Sequence, residues 1–130
     1  MTYGIGNTPL IRADGLEDRL EIDDIYLKLE GHNPTGTHKD RLAIQHVDDA
    51  IIRDYDTITV GSCGNYAVSM SFVAGKSGLD CNICIPKKYS GKMIDRIKEY
   101  GAEVFKVEGG YEESVEESRK MAEENGWYDA

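Results

Sequence analysis

Positive charge is scarce in this chain: 15 lysines and arginines stand against 24 aspartates and glutamates in 130 residues, a formal net charge of −9. With a pI near 4.7, its long-range field repels polyanions. That argues against a nucleic-acid or anionic-membrane surface and leaves a small metabolite as the natural partner. Long apolar runs are missing too. The longest uncharged stretch, 57–75, is broken by Ser62, Gly64, Asn65, Ser69 and Ser71 and is too polar to span a bilayer. The first ten residues lack the basic start and apolar core of a signal peptide, so a cytoplasmic protein is expected. Cysteines number three, an odd count that without a secretion signal points to reduced thiols. Cys81-Asn82-Ile83-Cys84 has the spacing of zinc and redox sites. It falls in an apolar run ending at Pro86 that reads as a buried strand, which puts the two thiols on opposite faces. With no second CxxC and no paired histidines, no metal is expected. There is no GxGxxG, no internal repeat and no low-complexity segment.

What is present is ordinary globular material, 40% hydrophobic and 30% charged, enough for one small domain with one core. Gly4 to Arg12 reads as a glycine-rich turn and a short extended piece, and Asp14 to Asp24 as a polar connector. Ile25 to Glu30 alternates as a half-buried strand does. From residue 54 the pattern becomes strand, turn, helix, repeated. Thr57–Val60, Cys81–Ile85 and Glu103–Val107 read as strands, and Tyr66–Lys76, Gly91–Tyr100 and Tyr111–Asn125 as helices. The last helix carries a weak stripe of Tyr111, Val115, Ser118 and Ala122, with Glu116 and Lys120 one turn apart as a pair. Gly126 to Ala130 reads as the start of one more strand. This alternation predicts right-handed βαβ units and an α/β fold with a parallel sheet between helical layers.

The stretch that organises the chain is Asn33-Pro34-Thr35-Gly36-Thr37-His38-Lys39-Asp40-Arg41. Pro34 and Gly36 favour a tight, non-helical approach, and Thr37 with Asp40 three residues on reads as an N-cap and its capping-box partner. From Lys39 to about Arg53, Ala43, His46, Val47, Ala50 and Ile51 recur at helical spacing. A charged lysine gains nothing from the positive end of the helix macrodipole. A neutral amine does better there, and a neutral amine is what nucleophilic attack on an aldehyde needs.

A second constellation follows the first strand of the repeating region. Gly61-Ser62-Cys63-Gly64-Asn65 lies beyond a strand's carboxyl end, at a helix start, where open α/β sheets bind ligands. Ser62 and Asn65 supply side-chain donors, Gly64 lets the backbone approach, and free N–H groups of the helix start can hold a carboxylate or phosphate. The plainer reading is a helix cap, with Asn65 or Ser62 satisfying those amides.

The lysine stretch resembles the lysine motif of the tryptophan-synthase-β, cysteine-synthase and threonine-synthase superfamily, the fold-type-II enzymes dependent on pyridoxal 5'-phosphate (PLP). Ser62-Cys63-Gly64-Asn65 resembles that family's Ser-x-Gly-Asn loop, and Gly6-Asn7-Thr8-Pro9-Leu10 its N-terminal wording. The resemblance covers nearly the whole chain. It implies that Lys39 is catalytic and carries the cofactor, with His38 beside it and Asn65 on the ring oxygen. It also implies that Ser62, Cys63, Gly64, Asn65 and Tyr66 bind the carboxylate of a small amino-acid substrate. Tyr66 stands where threonine is common, and Cys63 where a hydroxyl residue is usual. The expected architecture is the N-terminal edge of the PLP-binding domain over 1–53 and a smaller three-layer α/β domain over 54–130, incomplete at the C-terminus. Within the family the wording lies closest to threonine synthase, a lyase of amino-acid biosynthesis converting O-phosphohomoserine to threonine and phosphate. Cysteine-synthase-like β-replacement and serine/threonine dehydration remain open. The resemblance also suggests a homodimer. A reading of another class stands beside it: a non-catalytic binding module that keeps the fold. The family's phosphate-binding glycine loop and its pyridine-nitrogen partner have no counterpart here, since Gly109-Gly110 is too short to cradle a phosphate.

Overall fold

The computed structural model describes residues 2–130. Four strands, β3 (Thr57–Gly61), β4 (Asp80–Pro86), β5 (Glu103–Val107) and β6 (Tyr128–Asp129), form a parallel sheet in the order β5-β4-β3-β6. The register sets Val60 beside Ile83, Ile83 beside Val104, and Ile58 beside Tyr128. A β-branched centre buried on both faces is what a parallel sheet requires, and every residue of β3 is buried. Ahead of the sheet come β1 (Leu10–Arg12), α1 (Asp14–Leu20), β2 (Tyr26–Lys28), a 3-10 turn (Glu30–His32) and α2 (Lys39–Ile52). Helices α3 (Asn65–Ser77), α4 (Lys92–Glu99) and α5 (Tyr111–Asn125) follow β3, β4 and β5 in turn.

Side-chain alternation along β4 separates the helical layers. Cys81 faces Ser71 of α3, while Cys84 lies 3.6 Å from Met121 of α5. The two thiols sit on opposite faces, as their spacing predicts, and cannot grip one ion. Helix α3 packs against the sheet with α2 and α4 against its flanks, and α5 covers the other side. Two close approaches decide this packing. A Cβ on Gly61 would stand 2.4 Å from the Val115 Cα of α5, and one on Gly75 would stand 2.5 Å from the Tyr100 carbonyl oxygen. Because α5 comes that near, small residues face the sheet. Ser114, Ser118 and Ala122 are its buried positions, whereas Tyr111, expected in the stripe, is exposed.

One buried cluster holds these layers together: Ile58, Val60, Ile83 and Ile85 of the sheet, Val68, Met70 and Val73 of α3, and Ala43, Val47 and Ala50 of α2. Each large aliphatic side chain so buried contributes about 1.5–3 kcal/mol. The cluster thus runs across residue 53. Residues 10–28 stand outside it. β1 pairs antiparallel with β2, all six strand residues are exposed, and α1 buries none of its residues.

Three local expectations change. Asp14 to Leu20 is a helix rather than a connector, held where the Arg12 guanidinium grips Glu17 at 2.9 Å and Glu17 accepts the Ile25 N–H at 2.8 Å. It carries no apolar stripe because nothing packs on it. The strand expected to be half-buried over 25–30 is the exposed β2, with only β1 beside it. On α5, Lys120 approaches Glu124 at 3.9 Å rather than Glu116. Among the described residues no helix is long and apolar enough to cross a membrane.

Candidate active site

Helix α2 begins at Lys39, as the turn chemistry predicts, but its cap is built differently. His38 occupies the N-cap position, exposed, with no side-chain cap bond, and the Lys39 N–H donates to Thr37 Oγ1 at 3.3 Å. Asp40 does not reach back to Thr37. Its carboxylate accepts from the Thr35 N–H at 2.8 Å, from the Thr35 hydroxyl, and from Ser69 Oγ of α3 at 2.6 Å. The stronger offer came from a hydroxyl on a neighbouring helix, which local spacing cannot reveal. Lys39 is half-buried, and no acidic side chain lies within ion-pairing distance of its amine among the described residues.

A second network fastens this turn to the chain's beginning. Arg41 clasps Glu30 with two bonds of 2.8 Å and donates to the Gly6 carbonyl at 3.1 Å. Glu30 also accepts from Asn33 Nδ2 at 2.8 Å and Thr8 Oγ1 at 3.1 Å, and Asn33 Oδ1 takes the Gly6 N–H at 2.9 Å. The Arg41 guanidinium, helped by Asn33 and Thr8, holds the Glu30 carboxyl down to about 2. Sequence reasoning assigned none of these residues a task. Gly6 and Thr8 lie in the N-terminal stretch and Asn33 and Arg41 in the lysine stretch, but Glu30, which joins them, lies in neither, and wording alone does not connect the two.

The loop Gly61 to Asn65 lies beyond β3, where ligands gather in open α/β sheets. The Ser62 N–H still donates to the Cys84 carbonyl at 3.1 Å, so the loop leaves the sheet only after residue 62. Gly64 is the N-cap of α3, extended at φ −118° and ψ −153°, with no side chain capping the helix. The expectation that Asn65 or Ser62 satisfies those amides is not met. Asn65 is exposed, Cys63 half-buried, and a Cβ on Gly64 would meet nothing within 4 Å. Tyr66 turns inward instead. Its hydroxyl is buried without a partner among the described residues, its ring stands edge-on to His46 at 6.1 Å, and burial pushes the phenol well above its ordinary range.

Asn65 and Ser69 are four residues apart on one face of α3. The Ser69 bond to Asp40 therefore sets the lysine turn against the helix that Asn65 heads. Lys39 is half-buried, Asn65 is exposed, and the start of α3 carries no side-chain cap among the described residues. That donor set fits the aldehyde and ring-oxygen end of PLP and a substrate carboxylate. It does not supply a phosphate cradle at Gly109-Gly110, because Glu113 already accepts the Gly110 N–H at 2.7 Å. A concavity of about 550 Å³ runs along the α5 surface by Tyr111, Val115 and Arg119, and neither Lys39 nor Asn65 lines it. Burial pushes Cys81 up to about 12 and Cys84 up to about 11, so both thiols stay neutral and inert.

Comparison with known proteins gives a consistent picture. The family model described as "Pyridoxal-phosphate dependent enzyme" matches residues 1–130. A threonine synthase of Mycobacterium leprae is 36% identical over 119 residues, covering 90% of this chain and 32% of that protein. A cysteine synthase of Staphylococcus aureus is 29% identical over 135 residues, covering 99% of this chain and 43% of that protein. Among solved structures, an O-ureido-L-serine synthase superposes with a TM-score of 0.81 at 29% identity, over 96% of this chain and 41% of that one. The chain spans about a third of the length of the threonine synthases it matches.

Proposed function

Since the chain belongs to the pyridoxal-phosphate-dependent enzymes, we propose that it is the N-terminal part of a lyase of amino-acid biosynthesis, threonine synthase-like, that carries its cofactor on Lys39. The observation that carries this reading is the 2.6 Å bond from Ser69 to Asp40, which seats the lysine turn beside the helix headed by Asn65. In this reading Lys39 would hold the cofactor covalently and would serve as the base that takes the proton from the substrate Cα. PLP, when bound, would supply an electron sink for the charge left at that carbon. Asn65 donates to the ring oxygen and His38 lines the same side. Ser62, Cys63 and Gly64 hold the substrate carboxylate with the free N–H groups of Asn65 and Tyr66. The edge of a cofactor domain over 1–53 and a smaller domain from 54 belong to the same proposal, with α2 packed across the division. So do a homodimer and a cytoplasmic setting. The phosphate and pyridine-nitrogen contacts are assigned to the part of the relatives that this chain does not span.

The test is to mix the chain with PLP, reduce with borohydride and map the label. Label concentrated on Lys39 is the expected result. Label spread over surface lysines such as Lys87 and Lys88 would overturn the assignment in favour of a non-catalytic module. The match to a cysteine synthase along 99% of the chain favours a second reading, β-replacement on an O-activated serine. Turnover of O-phosphohomoserine with phosphate release, against turnover of O-acetylserine with sulfide, separates the two.

A further inference from the structure

A carboxylate removed from water needs every lone pair engaged, and it is held most cheaply beside a cation. Asp40 is wholly buried, and its bonds all come from neutral donors: the Thr35 N–H, the Thr35 hydroxyl and Ser69 Oγ. No lysine or arginine pairs with it among the described residues. As a way to stabilise a helix start this is a poor choice, since a cap at Thr37 would have left the charge in water.

What the arrangement does secure is the position of one turn. Thr35 is held from two sides. Its N–H and hydroxyl go to Asp40, and its carbonyl accepts from Arg96 Nη2 of α4 at 3.2 Å. Its Oγ1 also lies 3.2 Å from Ser69 Oγ of α3. Three helices thus meet on a single residue four positions before Lys39. Between them the chain has little freedom left: Gly36 takes φ +87°, a left-handed value suited to glycine, and Thr37 Oγ1 accepts the Lys39 N–H. The place where the Lys39 backbone starts is therefore set by Thr35, and Thr35 is set by Asp40, Ser69 and Arg96.

We propose that Asp40, Ser69 and Arg96 are positioning residues for Lys39, acting through Thr35 to keep its amine aligned with the loop before α3. They touch neither cofactor nor substrate. The inference rests on Lys39 being the cofactor lysine, and it adds a prediction which that assignment alone does not make. The angle of the amine, not only its presence, depends on a hydroxyl of α3 and a guanidinium of α4.

The experiment compares the full chain with Asp40→Asn, Ser69→Ala, Thr35→Val and Thr35→Ser. Each is incubated with PLP, reduced with borohydride, and mapped for label at Lys39 against Lys87 and Lys88. Circular dichroism and thermal midpoint are read in parallel. Thr35→Val keeps the side-chain shape and loses the hydroxyl, whereas Thr35→Ser keeps the hydroxyl. The expected result is a fall of ~10- to ~100-fold in Lys39 labelling for the first three, with Lys87 and Lys88 unchanged, and near-normal Lys39 labelling for Thr35→Ser. Should Asp40→Asn fail to fold, Thr35→Val against Thr35→Ser carries the comparison. If wild type labels Lys39 and the hydroxyl-deleting variants label it equally well, the positioning role is overturned and the cofactor lysine stands. If wild type places no label on Lys39, both fall.

Discussion

Two helix starts in this fold have nearly the same backbone and opposite contents. Gly64 before α3 and Gly110 before α5 are both N-cap glycines in extended conformation, at φ −118°, ψ −153° and φ −109°, ψ −151°. Both follow the carboxyl end of a parallel strand, and both expose the positive end of a helix. At α5 the protein fills the place itself: Glu113 accepts the Gly110 N–H, and Ser114 Oγ donates to the Gly110 carbonyl at 3.0 Å. At α3 no side chain among the described residues does so. The same geometric device is closed as structure in one place and left open in the other, and the open one heads the helix whose Ser69 holds Asp40 of the lysine turn. That asymmetry, rather than the glycines, distinguishes a candidate ligand site from an ordinary cap.

The comparison depends on a shared frame, and the sharpest way to break it is at Gly61. A methyl group there would lie 2.4 Å from Val115 Cα and 2.6 Å from the Ser114 carbonyl, both backbone atoms that cannot swing aside. Gly61→Ala should force α5 off the sheet and cost about 3 kcal/mol or more, seen as a large drop in the denaturant midpoint. A normal midpoint would mean the two helix starts are not held in register by this contact.

Opening the closed start has a smaller effect with a definite pH signature. The Gly110 N–H holds the Glu113 carboxyl below its ordinary value of 4.5. A folded-state pKa lowered in this way means the cap stabilises the fold above the unfolded value and loses that contribution as pH falls below it. Glu113→Gln should therefore lower the thermal midpoint modestly at neutral pH and flatten its decline on acidification below about 4.5. Glu30 titrates in the same sense, its contribution fading between 4.5 and about 2 as Arg41 loses its partner. Equal acid sensitivity in wild type and Glu113→Gln would remove the cap from the comparison.

Much of this was legible in the sequence because local chemistry decided it. The β-branched run at Thr57–Val60 and the Pro-Gly approach to Lys39 each act on their own neighbours. The α/β alternation followed from them. Contacts between distant segments were not legible. Asp40 looked like a capping partner of Thr37 because nothing in the spacing announces Ser69, 29 residues away. Tyr66 reads as a carboxylate-binding residue at the start of a helix, yet its ring lies beside His46. Helix α1 escaped because a helix that buries nothing carries no apolar period to read.

The smallest expected effect on the fold is at the open start itself. Gly64 has a backbone that any residue adopts and empty space where a side chain would go, so Gly64→Ala should leave stability within about 0.5 kcal/mol. If that space is reserved for an anion approaching the α3 amides, the same methyl group should weaken PLP labelling of Lys39 or carboxylate binding while the melting curve stays in place. Thiol reactivity gives an independent view of the same opening. Cys63, half-buried in the loop, should react with a thiol reagent in the native chain, while Cys81 and Cys84, raised by burial, react only on unfolding. Protection of Cys63 by PLP, absent in Gly64→Ala, would tie the loop to the cofactor. A Gly64→Ala chain that labels Lys39 and protects Cys63 as wild type does would make the open start as purely structural as the closed one.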